Sequence, residues 1–299
     1  MKTTILERAQ KIIDQRRYTA ENTAINNKVK AYEDPIFKER YQKYTQRMIE
    51  ESRLGQDESE ATKALKALCE KRLVELGIGS IEPQFYCKKC GDLGIKNGRY
   101  CSCIKAEINK ILRKESGFDK LCDFNEVNFK VFDNPEYMEK LYDKMKKWCH
   151  SKFEKNLIFI SGGTGVGKTY LIKCMANELI NNDHVVNLVS SFSMHQDFVK
   201  SFASRDLDEK SLLLDKYLSC EILFIDDLGT EMRLPNVTLN YLYQVINERK
   251  MKRLPTVITS NLDLYDIKDY YDERISSRII DTASSICVCI KGKDLRLKK

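Results

Sequence analysis

The chain has no long apolar run. No stretch of its 299 residues approaches the roughly 20 apolar side chains that a membrane-spanning helix needs. Its start, MKTTILERAQKII, puts acidic and polar residues where a secretory leader needs an unbroken apolar segment. The expectation is a cytoplasmic, uncleaved protein with no membrane partner. Proline is scarce: only Pro35 precedes Pro83, so little interrupts helices before that point. Histidine is scarcer still, and His150, His184 and His195 read as structural or ordinary polar positions. Internal repeats and low-complexity tracts are missing. Charge of one sign does not dominate either. A net charge of +7, with 32% charged residues, permits a nucleic-acid partner without requiring one. The 42% of hydrophobic residues is enough for a packed core, and the length suits one large domain with a smaller one.

Cysteine is abundant. There are eleven, an odd number in a chain read as intracellular, which argues against a disulfide framework. Cys69, Cys122, Cys149, Cys174, Cys220, Cys287 and Cys289 are scattered among apolar residues and are expected to be small buried side chains. The other four cluster in CKKCGDLGIKNGRYCSC. Cys87 and Cys90 form one close pair, Cys101 and Cys103 another, with ten residues between the pairs. Four soft ligands in this arrangement suit tetrahedral Zn²⁺. Gly91, Gly94 and Gly98 supply the tight turns of a knuckle. Metal binding would then replace a core that so short a segment cannot build. A Cys87/Cys90 redox pair and an iron–sulfur cluster are the alternatives. The redox pair lacks the strand pattern that usually surrounds it.

Helical periodicity governs the first part of the chain. Phe37, Tyr41, Tyr44 and Met48 fall on one helical face; Ala61, Leu65, Leu68 and Leu76 are expected to form the face of a second helix. ELGIGSIEPQF reads as a break, and AEINKILRKESGF as a short helix after the cysteines. From about residue 125 apolar strand-like runs alternate with helices: NLIFIS, VVNLVS, EILFID, PTVITS and SICVCI. This alternation predicts an α/β fold with a mostly parallel sheet covered by helices on both faces.

GGTGVGKT, Gly162 to Thr169, fits G-x-x-x-x-G-K-[ST]; it follows one of these strands and opens a helix. Gly162, Gly163, Thr164, Gly165, Val166 and Gly167 would wrap backbone N–H groups around phosphates. The helix N-terminus favours the negative charge. Lys168 would meet the β- and γ-phosphates of ATP, and Thr169 would ligate Mg²⁺. EILFIDDLG ends a second strand in Asp226, a Mg²⁺ ligand, and Asp227, a carboxylate that can activate water. PTVITSN ends in Asn261, which could orient that water or simply cap the strand. DERISSRIID carries Arg274 and Arg278 one helical turn apart, where either could reach a neighbouring subunit or remain a surface residue.

Taken together, SGGTGVGKTYL, LFIDDLGTE, YQVINERKMKRLPTVITSNL and DERISSRI resemble the AAA+ ATPases of the clade that holds DnaC/DnaI-type helicase loaders and IstB-type transposition ATPases. The resemblance implies Lys168 and Thr169 in Walker A, Asp226 and Asp227 in Walker B, and Asn261 as sensor 1. It also implies Arg278 as arginine finger, with Arg274 second, and Arg296 as sensor 2. With Arg296 so near the end of the sequence, the usual helical lid is expected to be absent. The wider AAA+ pattern has Glu where this chain has Asp227, one methylene shorter, so slow turnover suited to a switch is expected. Gram-positive loaders carry a cysteine-rich zinc module of this kind, and IstB-type proteins typically lack it.

The resemblance further implies a DnaB-type helicase hexamer as partner, self-association with ATP, and single-stranded DNA bound by the segment after the second strand. There Phe192, Phe198, Phe202, Lys200 and Arg205 offer stacking and charge, although Phe198 and Phe202 also have core spacing. The expected division is a helicase-binding helical region (1–80), a zinc module and linker helix (81–120) and an AAA+ ATPase domain (121–299). The expected function is ATP-dependent placement of a replicative helicase on single-stranded DNA. An IstB-like transposition or phage replication ATPase is the alternative.

Overall fold

A computed structural model describes residues 4–118 and 120–297. The chain divides into two compact units, Gln10–Cys103 and a larger one built from Ile104–Lys299 with Met1–Ala9. The boundaries at 80 and 120 stand as a proposed functional division.

In the smaller unit, helices α1 (Ile5–Tyr32), α2 (Pro35–Arg53) and α3 (Glu60–Glu75) lead to a two-residue hairpin, β1 (Ile95–Lys96) and β2 (Arg99–Tyr100). Asp34 caps α2, accepting from the Phe37 N–H at 2.7 Å, and Pro35 supplies the pre-set φ of a first helical residue. The Asp34 carboxylate also takes a bidentate pair from Arg72 on α3, at 2.7 and 3.1 Å. Phe37 is fully buried, with Tyr41 packed against it. Helix α3 departs from the expected face: it buries Thr62, Cys69 and Leu73, while Leu68 is exposed and Leu76 is its C-cap. The reason is polar. Thr62 donates to Glu51 at 2.8 Å, and Ser59 caps the helix while donating to the same carboxylate. These bonds fix the rotation of α3 about its axis.

The larger unit continues with α4 (Ser102–Ser116), α5 (Pro135–Cys149), β3 (Leu157–Gly162), α6 (Lys168–Asn181), β4 (Val186–Ser190), α7 (Ser191–Ala203) and α8 (Leu207–Leu218). Then follow β5 (Ile222–Leu228), α9 (Asn240–Met251), β6 (Thr256–Ser260), α10 (Leu264–Tyr270), α11 (Glu273–Ile279) and β7 (Ser285–Ile290). The five long strands match the five apolar runs. They pair in parallel in the order β4-β5-β6-β3-β7. Period-two alternation sends Ile158 and Ile160 to a core shared with α5 and α6, and Leu157 and Phe159 to a second core under α7 to α11. Burial on both faces explains why β3 to β6 read as continuous apolar runs.

Among the scattered cysteines, Cys69, Cys149, Cys174 and Cys220 are buried as expected. Cys122 is half-buried, and Cys287 and Cys289 are exposed. The two exposed thiols share one face of β7, which among the described residues is an edge strand paired with β3 alone.

Arg249 of α9 is fully buried. It donates to the carbonyls of Tyr217, Cys220 and Pro255 at 2.8–2.9 Å and to Thr256 Oγ1 at 2.9 Å. One side chain therefore fastens the end of α8 and the starts of β5 and β6. Arg249→Met takes one donor from each of these acceptors; the Pro255 carbonyl keeps the Leu223 N–H, but the Cys220 carbonyl loses its partner, and an unpaired buried acceptor costs about 1–3 kcal/mol. A large fall in the urea midpoint, followed by Trp148 fluorescence, is expected. A loss within about 0.5 kcal/mol, typical of surface changes, would contradict this role.

Candidate functional site

The carboxyl ends of β3, β5 and β6 meet the start of α6. Between β3 and α6 the chain makes a loop through three glycines at positive φ: Gly162 (154°), Gly165 (74°) and Gly167 (100°). A Cβ on Gly162 would lie 2.4 Å from the Ile290 carbonyl oxygen, and one on Gly165 would lie 1.8 Å from Asp294 Oδ1. Gly162 therefore has space only for bare backbone, and a side chain at Gly165 would have to displace Asp294. Val166 buries its side chain in the core and leaves the loop only its main chain; Gly163 and Thr164 are exposed. Gly167 provides no side-chain cap for α6. The first N–H groups of the helix are thus free of side-chain competition, the cradle that phosphate oxygens need.

Lys168 is 4% exposed and holds three acceptors: the Gly162 and Gly163 carbonyls at 2.8 Å and Asn261 Oδ1 at 2.6 Å. Burial lowers its pKa from the ordinary lysine value, against the pull of Asp227 and Asp226. Thr169 donates to the Asp226 carboxylate, 3.0–3.1 Å away. Burial, reinforced by the neighbouring Asp227, raises the Asp226 pKa, while Thr259 and Thr169 oppose that shift. A buried carboxylate beside a threonine hydroxyl is the hard oxygen donor set that suits Mg²⁺.

Three features here are not apparent from spacing. Thr259 of β6 donates to Asp226 Oδ1 at 2.6 Å and accepts from the Asp227 N–H at 2.9 Å. Asp227 has φ 55°, and the β5–β6 register slips between Ile225 and Leu228. This bulge lets two adjacent acidic side chains serve one end of the strand. Glu231, 5% exposed, accepts from the Gly229 N–H at 2.9 Å and from the Tyr271 hydroxyl, tying the loop after β5 to the α10–α11 junction. The LGTE run carries the residue, but nothing in its spacing points to Tyr271.

The remaining expected residues divide. Arg296 lies beside the loop, since the Leu295 N–H donates to the Gly165 carbonyl at 3.0 Å. Its guanidinium pairs with Asp294 at 2.7 Å and is mostly exposed. Arg278 and Arg274 lie on α11 against Tyr243 of the same chain. In α7, Phe198 is buried and stacks on Tyr241, with centroids 5.4 Å apart, so it belongs to the core. Phe192, Phe202, Lys200 and Arg205 are exposed. The histidines bond locally: His150 to Glu178, His184 to Glu221 and His195 to Thr238.

The four clustered cysteines converge, their sulfurs all within 4.8 Å of one another. Cys87 and Cys101 are 3.7 Å apart, and Cys90 and Cys103 are 3.5 Å apart. Tetrahedral zinc with Zn–S bonds of about 2.3 Å separates its sulfurs by about 3.8 Å, so the set fits such an ion. Asp92, buried and at φ 52°, accepts from the Tyr86 and Cys87 N–H groups at 2.8 Å and locks the first turn. Burial opposes ionisation of Cys101, but hydrogen bonds from the Cys103 backbone and neighbouring thiols pull it down to about 7.

Known proteins supply an independent comparison. The sequence profile of the IstB-like ATP binding protein family matches residues 109–299. The phage-like element PBSX protein XkdC of Bacillus subtilis (strain 168) is 27% identical over 233 residues, 70% of this chain and 84% of that protein. The replicative helicase loader DnaI of the same strain is 26% identical over 114 residues, 38% of this chain and 36% of that one. The chromosomal replication initiator protein DnaA of Campylobacter fetus subsp. fetus (strain 82-40) is 30% identical over 123 residues, 41% of this chain and 27% of that one. A crystal structure of DnaI superposes with a TM-score of 0.45 at 23% identity, covering 63% of this chain and 93% of that one. One of the DnaC helicase loader gives 0.44 at 20%, covering 57% and 97%. The profile runs across well over half of the sequence and takes in every strand that frames the phosphate loop, and on that ground the chain belongs to the IstB-like ATP-binding family.

Proposed function

We propose that this protein is an ATP-hydrolysing loader that binds a DnaB-type replicative helicase and helps place it on single-stranded DNA. The observation that carries the ATPase reading is the contact of Lys168 with Asn261 beside the Thr169–Asp226–Thr259 chain. Three strands contribute to one polar centre at the mouth of a phosphate loop. In this reading Lys168 exchanges its carbonyl partners for phosphate oxygens, and Asn261 stays within reach of the same charge. Thr169 and Asp226 would hold Mg²⁺, which when bound neutralises charge on the phosphates. Asp227 orients the attacking water, Arg296 contributes positive charge beside the loop, and Arg278 serves a neighbouring copy. The helicase partner is supported by the relationship to DnaI, which is named a replicative helicase loader. Cys87, Cys90, Cys101 and Cys103 would hold structural zinc, which supplies cross-links in a segment with little core of its own. Exposed Phe192, Phe202, Lys200 and Arg205 support contact with single-stranded DNA.

One observation favours a second reading. XkdC, a relative matched over 70% of this chain and 84% of its own length, is a protein of a phage-like element. A phage-type replication ATPase with the same core would act on a different helicase or on a transposase.

Native mass measurement of the intact protein with its host's DnaB-type helicase separates the two. A complex that forms with ATP and weakens with ADP is expected, and no complex in either nucleotide contradicts the loader. Thr259→Val keeps the shape and removes the hydroxyl that joins Asp226 to the Asp227 N–H. Binding of Mg²⁺–ATP is expected to weaken by roughly 10- to 150-fold, the value of a hydrogen bond to a charged group. Unchanged binding would mean that the β5–β6 clamp has no part in the site. Metal analysis is expected to find a single zinc per chain, lost together with the ordered fold of residues 87–103 in Cys90→Ser. A metal-free protein whose Cys90→Ser form resists protease equally would overturn the zinc assignment.

A further inference from the structure

Arg274 and Arg278 lie four residues apart on α11, and both reach the same aromatic ring. Their guanidinium carbons are 5.4 and 5.2 Å from the Tyr243 ring centroid, within cation–π range. Their charges have different company. Arg274 donates from Nε and Nη2 to Asp272 Oδ2 at 3.3 and 3.1 Å, an ion pair. Arg278, among the described residues, meets only neutral acceptors. Its Nε donates to Asn247 Oδ1 at 3.1 Å, its Nη2 to the Tyr243 hydroxyl at 3.2 Å and its Nη1 to Ser277 Oγ at 3.3 Å. Tyr243 and Asn247 are one turn apart on α9 and present a common face. Lys250, further along α9, donates to the Arg278 carbonyl at 3.2 Å and pairs with Asp281 at 2.8 Å. Helix α9 thus holds both the backbone and the head of Arg278 while its charge stays uncompensated. An arginine paired to a carboxylate must break that pair before it can engage a phosphate. One held by an amide and a phenol does not.

We propose that Tyr243 and Asn247 are positioning residues that present Arg278, and not Arg274, to the ATP held by a second copy of this chain. The inference rests on the reading of the protein as a self-assembling ATPase. Neither residue touches nucleotide. Both restrict the rotamers of a long side chain and leave its charge for the phosphoryl group being transferred, where a trans arginine acts.

Mixed full-length variants test this. The Lys168→Ala chain keeps Arg278 but loses its own phosphate lysine; the Arg278→Ala chain keeps a complete loop. Mixed together, they are expected to hydrolyse ATP at least about 100-fold faster than either alone, given what a trans arginine contributes. Asn247→Asp added to the Lys168→Ala chain gives Arg278 a carboxylate partner. It is expected to cut that rescue by roughly 10- to 100-fold in kcat, with KM for ATP unchanged because the nucleotide sits in the other chain. Tyr243→Phe, which removes only the hydroxyl, is expected to cut it less. Asn247→Gln, which keeps a neutral amide, is expected to preserve it and so separates a charge effect from misfolding. Arg274→Ala is expected to rescue fully. Undiminished rescue with Asn247→Asp overturns the positioning role but leaves trans action standing. Rescue lost with Arg274→Ala, or with Asn247→Gln, also overturns it. No rescue by any pair overturns trans action itself, and the proposal with it.

Discussion

A buried ammonium and a buried carboxylate lie at one end of a parallel sheet, and the loops around them are arranged to keep both there. Lys168 is held by two loop carbonyls and Asn261, and Asp226 by Thr169 and Thr259. Burial weakens the charged form of each, lowering the Lys168 pKa and raising that of Asp226. Such groups are costly unless something of opposite charge completes them. A triphosphate carried by a divalent cation does so for both at once. The strain at Asp227 and the lack of space for a Cβ at Gly162 follow from the same demand for close approach.

The sheet makes that arrangement affordable. Strands β3 to β6 are covered on both faces, by α5 and α6 on one side and α7 to α11 on the other, so the polar centre sits on a rigid base. From that base two connections run outward to α11. Glu231 ties the loop after β5 to Tyr271, next to the Asp272 that caps α11. Helix α9 holds the Arg278 side chain directly. The acidic strand tip and the arginine helix are thus joined through side chains of one chain.

Most of this was legible in the sequence where a local rule governs. Strands β3 to β6 announced themselves as apolar runs because both of their faces are buried. The phosphate loop and acidic tip were legible because glycine, lysine and aspartate have fixed spacing around phosphate. The convergence of the four cysteines was legible because they come in two close pairs, Cys87/Cys90 and Cys101/Cys103. Residues whose role depends on a distant partner were not. Thr259 reads as an ordinary β-branched strand residue until β6 lies beside β5. The rotation of α3 is set by Glu51 of another helix, so the apolar periodicity of Ala61, Leu65 and Leu68 pointed to the wrong face. Phe198 has the spacing of either a core or a stacking residue, and only Tyr241 decides between them. Cys287 and Cys289 looked buried because strand pattern does not reveal that β7 is an edge.

The central claim is that the mouth of the β3–α6 loop is a nucleotide site whose two buried charges bind ATP and magnesium. Calorimetric titration of ATP into the intact protein, with and without Mg²⁺, tests it most directly. The account predicts saturable uptake of a single nucleotide per chain that strengthens with Mg²⁺. Absence of any heat or saturable binding, in protein shown to be folded, would contradict it.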